Sequence, residues 1–163
     1  MRHSGCLGYH RRMRKLALAV LLVAIAGSPA RAESIGLGLF LGEPTGLDLK
    51  VGLTARSSFD VVIGQSSYKD GRTDYIHFTY LLTSFVARGR SVLVPFRIGI
   101  GAAAIGIVDD NAHAAVRFPL EIGFRFRRVP FEIYGEISYK GVFVEEDFID
   151  FDLDGGIGFR FYF

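Results

Sequence analysis

Residues 116–126 read Val116-Arg117-Phe118-Pro119-Leu120-Glu121-Ile122-Gly123-Phe124-Arg125-Phe126. Val116, Phe118, Leu120, Ile122, Phe124 and Phe126 share one parity, while Arg117, Glu121, Gly123 and Arg125 share the other. Successive side chains of an extended chain point to opposite faces, so this is a strand with one bulky apolar face and one face of charge and glycine. The pattern continues on both sides. After the turn Arg127-Arg128-Val129-Pro130 come Phe131, Ile133, Ile137 and Tyr139, a seventh strand, less regular because Gly135 sits on its apolar face, and then an eighth through Leu153, Ile157, Phe159, Phe161 and Phe163. Upstream, Val92 to Ile100 gives a fifth strand, Ile76 to Leu82 a fourth that ends at Arg88-Gly89-Arg90, and Phe59 to Ile63 a third that ends near Tyr68-Lys69-Asp70-Gly71. The first two form a hairpin: Ile35, Leu37, Leu39 and Leu41, the turn Gly42-Glu43-Pro44-Thr45-Gly46, then Leu47, Leu49, Val51 and Leu53.

Residues 1–32 follow different rules. They hold six bases and no acid, and the bases at 11–15 abut the apolar run Leu16 to Ala26, which is followed by Ala30-Arg31-Ala32. A basic start, an apolar run of about 7–15 residues and an A-x-A site define a secretory signal peptide cut after Ala32, and the run is shorter than the about 20 residues of a spanning helix. Met13 begins an equally good leader by itself. Taking the 32 residues and their six bases from 163 residues and 19 Lys+Arg leaves 131 residues with 13 bases against 17 acids, a net charge of −4. The precursor's +2 is therefore no sign of a nucleic-acid partner. Cys6 leaves with the leader, so residues 33–163 form one domain that no disulfide can staple.

An eight-stranded barrel can be apolar inside, as in lipocalins, or apolar outside, as in outer-membrane proteins. Volume decides. An eight-stranded interior is only just wide enough for side chains to fill, and dozens of Leu, Ile, Val and Phe do not fit there. Glycine and charge do. The inward set then comprises Lys50, Arg97, Arg117, Arg125, Lys140 and Arg160 with Asp48, Asp60, Glu121, Glu132, Glu136, Asp152 and Asp154, six bases and seven acids. Charges of both signs in a confined space must pair, because an unpaired buried charge is strongly destabilising. The expectation is an all-β chain: a closed antiparallel transmembrane barrel of about eight strands, an up-and-down meander, with a filled, salt-bridged lumen instead of an open pore. With no Trp, an interfacial girdle falls to Tyr68, Phe126, Phe143, Phe148 and Phe161.

The connections sort by charge. One end carries Glu43, then Lys69 and Asp70, then Asp109 and Asp110, then Glu145, Glu146 and Asp147; the other carries Arg56, then Arg88 and Arg90, then Arg127 and Arg128. With the N-terminus on the periplasmic side, the acidic loops face outward and the basic turns inward. All the loops are short, which argues against an adhesin and against a long plug.

The ending Ile157-Gly158-Phe159-Arg160-Phe161-Tyr162-Phe163 resembles the C-terminal signature of Gram-negative outer-membrane barrels, with Phe159, Phe161 and Phe163 at its alternate positions. That resemblance implies recognition by the barrel assembly machinery. More narrowly, Gly36-Leu37-Gly38-Leu39-Phe40-Leu41-Gly42-Glu43-Pro44-Thr45-Gly46-Leu47 and Gly155 through Phe163 resemble a small family of bacterial outer-membrane barrels, with an architecture like the OmpA membrane domain or OmpX. What it implies is a resident of the cell outer membrane among lipid and lipopolysaccharide, with no catalytic role. Oligomeric state is not set by these motifs.

Three patterns imitate other chemistry. Asp150-Phe151-Asp152-Leu153-Asp154-Gly155 opens like a calcium loop, but position twelve is Phe161 where a bidentate Glu is needed. Gly99-Ile100-Gly101-Ala102-Ala103-Ala104 imitates a dinucleotide fingerprint with no helix to follow it. His77 and His113, the two histidines after the leader, are the bases available to a lipid-modifying enzyme, the main functional alternative beside a periplasmic lipocalin-like binder. Neither has a Ser and an acid at a recognisable spacing, so no catalytic, cofactor-binding or metal-ligating residues are assigned.

Overall fold

A computed structural model describes residues 35–163 except 69–70, 109–111 and 145–147, with Tyr68, Val144 and Phe148 described by backbone alone. The expected leader with its cleavage residues Ala30 and Ala32 lies outside the described residues, as do Lys69, Asp70, Asp109, Asp110, Glu145, Glu146 and Asp147. The strands are β1 (Ile35–Glu43), β2 (Thr45–Gly52), β3 (Ser57–Tyr68), β4 (Gly71–Arg88), β5 (Val92–Ile105), β6 (His113–Phe126), β7 (Phe131–Val144) and β8 (Phe148–Tyr162). Each pairs antiparallel with the next, and β8 returns to β1, so the sheet is a closed eight-stranded meander.

The register fixes the tilt. Starting at Leu37, the paired residues run Leu49, Val61, Phe78, Ala102, Val116, Gly141 and Phe151, yet Leu37 itself closes against Phe161, ten residues further along β8. A stagger of that size over eight strands inclines them by roughly 40° and sets an interior that side chains can just fill. Closure joins β8 to β1 through Gly155–Tyr162, so the sheet has no free edge strand along that span.

The two faces separate as the parity requires. Leu47, Ile63, Ile100, Leu120, Ile137, Leu153 and Ile157 are among the large apolar residues exposed on the outside, Leu47 at 68% and Leu153 at 67%. Inside, the largest fully buried side chains include Arg117, Arg160, Lys140, Glu121 and Glu132. A lipocalin has the reverse arrangement. β7 runs unbroken through Gly135, which stands on the outer face between Ile122 and Ile157.

One irregularity escapes period-2 reading. On β4 the outward residues are Ile76, Phe78, Tyr80 and Leu82, so strict alternation turns Phe85 inward. Instead the register slips between Thr83 and Phe85, one extra residue that returns Phe85 to the outside. There its ring stacks on Phe96 with centroids 4.9 Å apart.

The inward glycines make room for their neighbours: Gly123 for the charged ends of Glu132 and Arg97, and three others for rings. Gly36 faces Tyr162 across the β1–β8 pair, Gly158 faces Tyr134 across β7–β8, and Gly156 lies under the ring of Phe40. A Cβ on Gly158 would drive into the Tyr134 ring, whose hydroxyl and face are both engaged in the lumen. Gly158→Ala is therefore expected to lower stability by about 1–3 kcal/mol, the usual cost of overpacking. Chemical denaturation of the folded barrel in detergent micelles checks this; a midpoint equal to wild type would mean the ring has room to move.

Candidate functional site: a charge-paired lumen

Eleven of the thirteen charged residues expected inside are buried there: Lys50, Arg97, Arg117, Lys140 and Arg160, with Asp48, Asp60, Glu121, Glu132, Glu136 and Asp154. The other two sit at its ends. Arg125 is half-buried with its guanidinium carbon 4.1 Å from the Tyr162 ring centroid, and Asp152 is exposed but lies 3.3 Å from Lys140 Nζ.

The network is built on Arg160. It comes from β8, and its three nitrogens meet carboxylates from three other strands: Nε to Asp48 Oδ2 at 2.6 Å, Nη2 to Asp60 Oδ1 at 2.6 Å and Nη1 to Glu121 Oε2 at 2.9 Å. A planar guanidinium with five donors suits such a junction where an ammonium would not. Its plane also lies on the Tyr134 ring, 3.6 Å from the centroid, and the Tyr134 hydroxyl donates to Asp48 Oδ2 at 2.5 Å. Ring and cation thus share one carboxylate.

Glu121 joins this junction to the next. Its other oxygen accepts from Lys50 Nζ at 3.1 Å and from Arg97 Nη1, which also reaches Glu132 Oε1 at 2.6 Å. The Tyr162 hydroxyl donates to the remaining oxygen of Glu132. Further along the axis Arg117 pairs with Glu136, donates to Ser138 Oγ at 3.3 Å, and lies 2.5 and 2.6 Å from the two ring nitrogens of His77. Lys140 holds Asp154 at 2.8 Å near the opposite end.

Two apolar clusters punctuate the charges. Phe40, Val62 and Tyr134 pack beside the Arg160 junction, and Tyr75, Ala103, Ile105, Ala115 and Val142 pack above Arg117. Arg117, Lys140 and Arg160 are each 0% exposed. These side chains occupy the interior as a packed, ionically cross-linked core.

Tyr134, Tyr162, Ser138 and Thr79 were not among the expected lumen residues. Their signal was parity: Tyr134 alternates with Glu132 and Glu136, and Tyr162 follows Arg160 by two. His77 is buried, with Nε2 3.5 Å from Asp60 Oδ2 and its ring edge-on to Tyr75. It belongs to the network and does not face the outer surface, where a lipid substrate would lie. His113 begins β6, half-buried.

The calcium-like run lies in β8, an extended strand whose alternate carboxylates are about 6.6 Å apart. Asp152 and Asp154 already share one ammonium, that of Lys140. Among the described residues, no group of three or more His, Cys, Asp or Glu is placed to hold a metal ion. The glycine-alanine run 99–104 lies wholly within strand β5. Of the expected girdle, Phe143 and Phe161 are exposed and Phe126 is half-buried, stacking on Phe131 at 6.0 Å.

Comparison with protein-family models, with curated proteins and with solved structures finds no match for this chain.

Proposed function

We propose that the chain is the precursor of an integral protein of the Gram-negative outer membrane, a non-enzymatic barrel that crosses with its strands and contributes to envelope integrity. The observation that carries this is the outer surface. Every strand turns Leu, Ile, Val or Phe outward from a closed sheet, while the charges are buried within. In water such a continuous apolar exterior far exceeds the few hundred Å² that soluble monomers expose. In a bilayer it is the surface required, and a closed sheet pairs strand backbone groups that lipid could not satisfy.

The packed lumen supports a structural role over a transport role. Arg160, Arg97 and Arg117 cross-link carboxylates across the interior, where a porin has a water-filled path. The partners on this reading are outer-membrane lipid and lipopolysaccharide, with the barrel assembly machinery meeting Phe159, Phe161 and Phe163 during biogenesis. No nucleic acid and no cofactor is involved. The N-terminal leader, cut after Ala32, provides export.

Cell fractionation, gel mobility and planar-bilayer recording test the proposal together. The expected result is a protein of the outer-membrane fraction whose unboiled form migrates apart from its boiled form, and which gives no discrete conductance steps. A soluble periplasmic protein with no boiling-dependent shift would overturn the membrane reading. Stepwise conductance would overturn the filled lumen alone.

A further inference from the structure

The two ends of the barrel differ in charge. One end carries the turns 53–56, 89–91 and 127–130, which contain no Asp or Glu; Arg56, Arg90, Arg127 and Arg128 stand on them and Arg88 ends β4. All five arginines are exposed. Unlike Arg97, Arg117 and Arg160, none of the five has a carboxylate partner among the described residues. The opposite end presents Glu43, Asp74, Asp150 and Asp152 against one described arginine, Arg72.

The arginines stand on a fixed frame. The Arg56 carbonyl accepts the Thr83 N–H at 2.7 Å, tying the first turn to β4, and the Ser91 carbonyl accepts the Arg127 N–H at 3.0 Å, tying the second turn to the third. Within the first turn Thr54 Oγ1 accepts the N–H groups of Arg56 and Ser57 at 3.2 and 3.1 Å. The five exposed arginines therefore stand along an arc of turns from β2–β3 to β6–β7. It borders the apolar exterior directly, beside Phe85, Phe126, Phe131 and Phe161.

We propose that this arc binds the headgroup phosphates of anionic phospholipids in the leaflet at that end of the barrel. The proposal rests on the barrel lying in a membrane. The boundary between apolar belt and water is where lipid phosphates lie, and arginine's methylene stem can stay on the belt while its head stays wet. Guanidinium matches phosphate oxygens in a two-pronged hydrogen bond, and the unpaired positive charge of the arc favours lipids with net negative charge over zwitterionic ones.

The test reconstitutes the leaderless barrel in phosphatidylcholine vesicles containing a trace of spin-labelled phosphatidylglycerol or spin-labelled phosphatidylcholine. Immobilised label reports association. Phosphatidylglycerol is expected to be preferred by at least about fivefold at low salt, the factor for one basic side chain near an anionic surface, and the preference should shrink at high salt. The variant R56Q/R88Q/R90Q/R127Q/R128Q should insert, keep its heat-dependent gel shift and show no preference. Equal association of both lipids with the wild type would overturn the proposal, as would a preference that the variant retains. Loss of the preference in inorganic phosphate, against chloride of equal ionic strength, would reassign the arc to free phosphate. Arginine-dependent sedimentation with cell-wall sacculi and no lipid preference would reassign it to peptidoglycan. Failure to insert into either vesicle would instead overturn the membrane reading on which the proposal stands.

Discussion

Arg160→Met is expected to lower stability by about 3–5 kcal/mol, the cost of removing one partner from a buried ionic cluster. Methionine keeps much of the volume, so packing is nearly conserved, but Asp48, Asp60 and Glu121 each lose a guanidinium nitrogen at 2.6–2.9 Å. Glu121 keeps Lys50 and Arg97. Asp60 is left with His77 at 3.5 Å, and Asp48 with the Tyr134 hydroxyl. Two carboxylates then sit nearly uncompensated in a medium that solvates charge poorly. Denaturant unfolding in detergent micelles, followed by the heat-dependent gel shift, reads the loss. The triple variant Arg160→Met, Asp48→Asn, Asp60→Asn removes the stranded charges and should recover at least half of it. A single variant as stable as wild type would mean the lumen is wet enough to screen these groups.

Ile98→Arg is the second large effect, and it probes the other face. Ile98 lies mid-strand in β5, paired with Leu82 and Leu120, and is 46% exposed on the outside. An arginine at the midplane of a bilayer costs about 2–4 kcal/mol, whereas the same side chain on a water-facing surface costs almost nothing. Ile98→Arg should block assembly into membranes, and Ile98→Val should assemble normally. Outer-membrane yield and the fraction showing the gel shift measure both. Equal assembly of the two variants would show that this face does not meet lipid.

Much of the architecture was legible because period 2 is a local signal. Val116 to Phe126 declares its two faces without reference to any other segment, and the same holds for Val92 to Ile100. Volume then decided which face was inside. The extra residue between Thr83 and Phe85 was not legible, because a bulge leaves the composition of a strand unchanged and alters only its phase. Nor were the partners within the lumen. Arg160 and Asp48 lie 112 positions apart, and their meeting depends on how β1 and β8 close and on the ten-residue stagger accumulated around the sheet. Sequence could assemble the inventory of charges, and it could require that they pair. Which carboxylate meets which base is decided by register. The coupling of Gly158 to Tyr134 had the same origin, since a glycine's purpose is visible only from across the strand pair.

The position of Arg160 on β8, the strand that pairs back to β1, bears on the order of events in assembly. Its three acidic partners come from β2, β3 and β6, all made before it. Until β8 arrives, a partly formed sheet holds Asp48 and Asp60 without their guanidinium and leaves β1 with an open edge. The strand that closes the hydrogen-bonded ring is thus also the one that neutralises the interior. A chain truncated before β8 lacks both at once, so incomplete products are penalised twice, and assembly is pushed toward all or nothing.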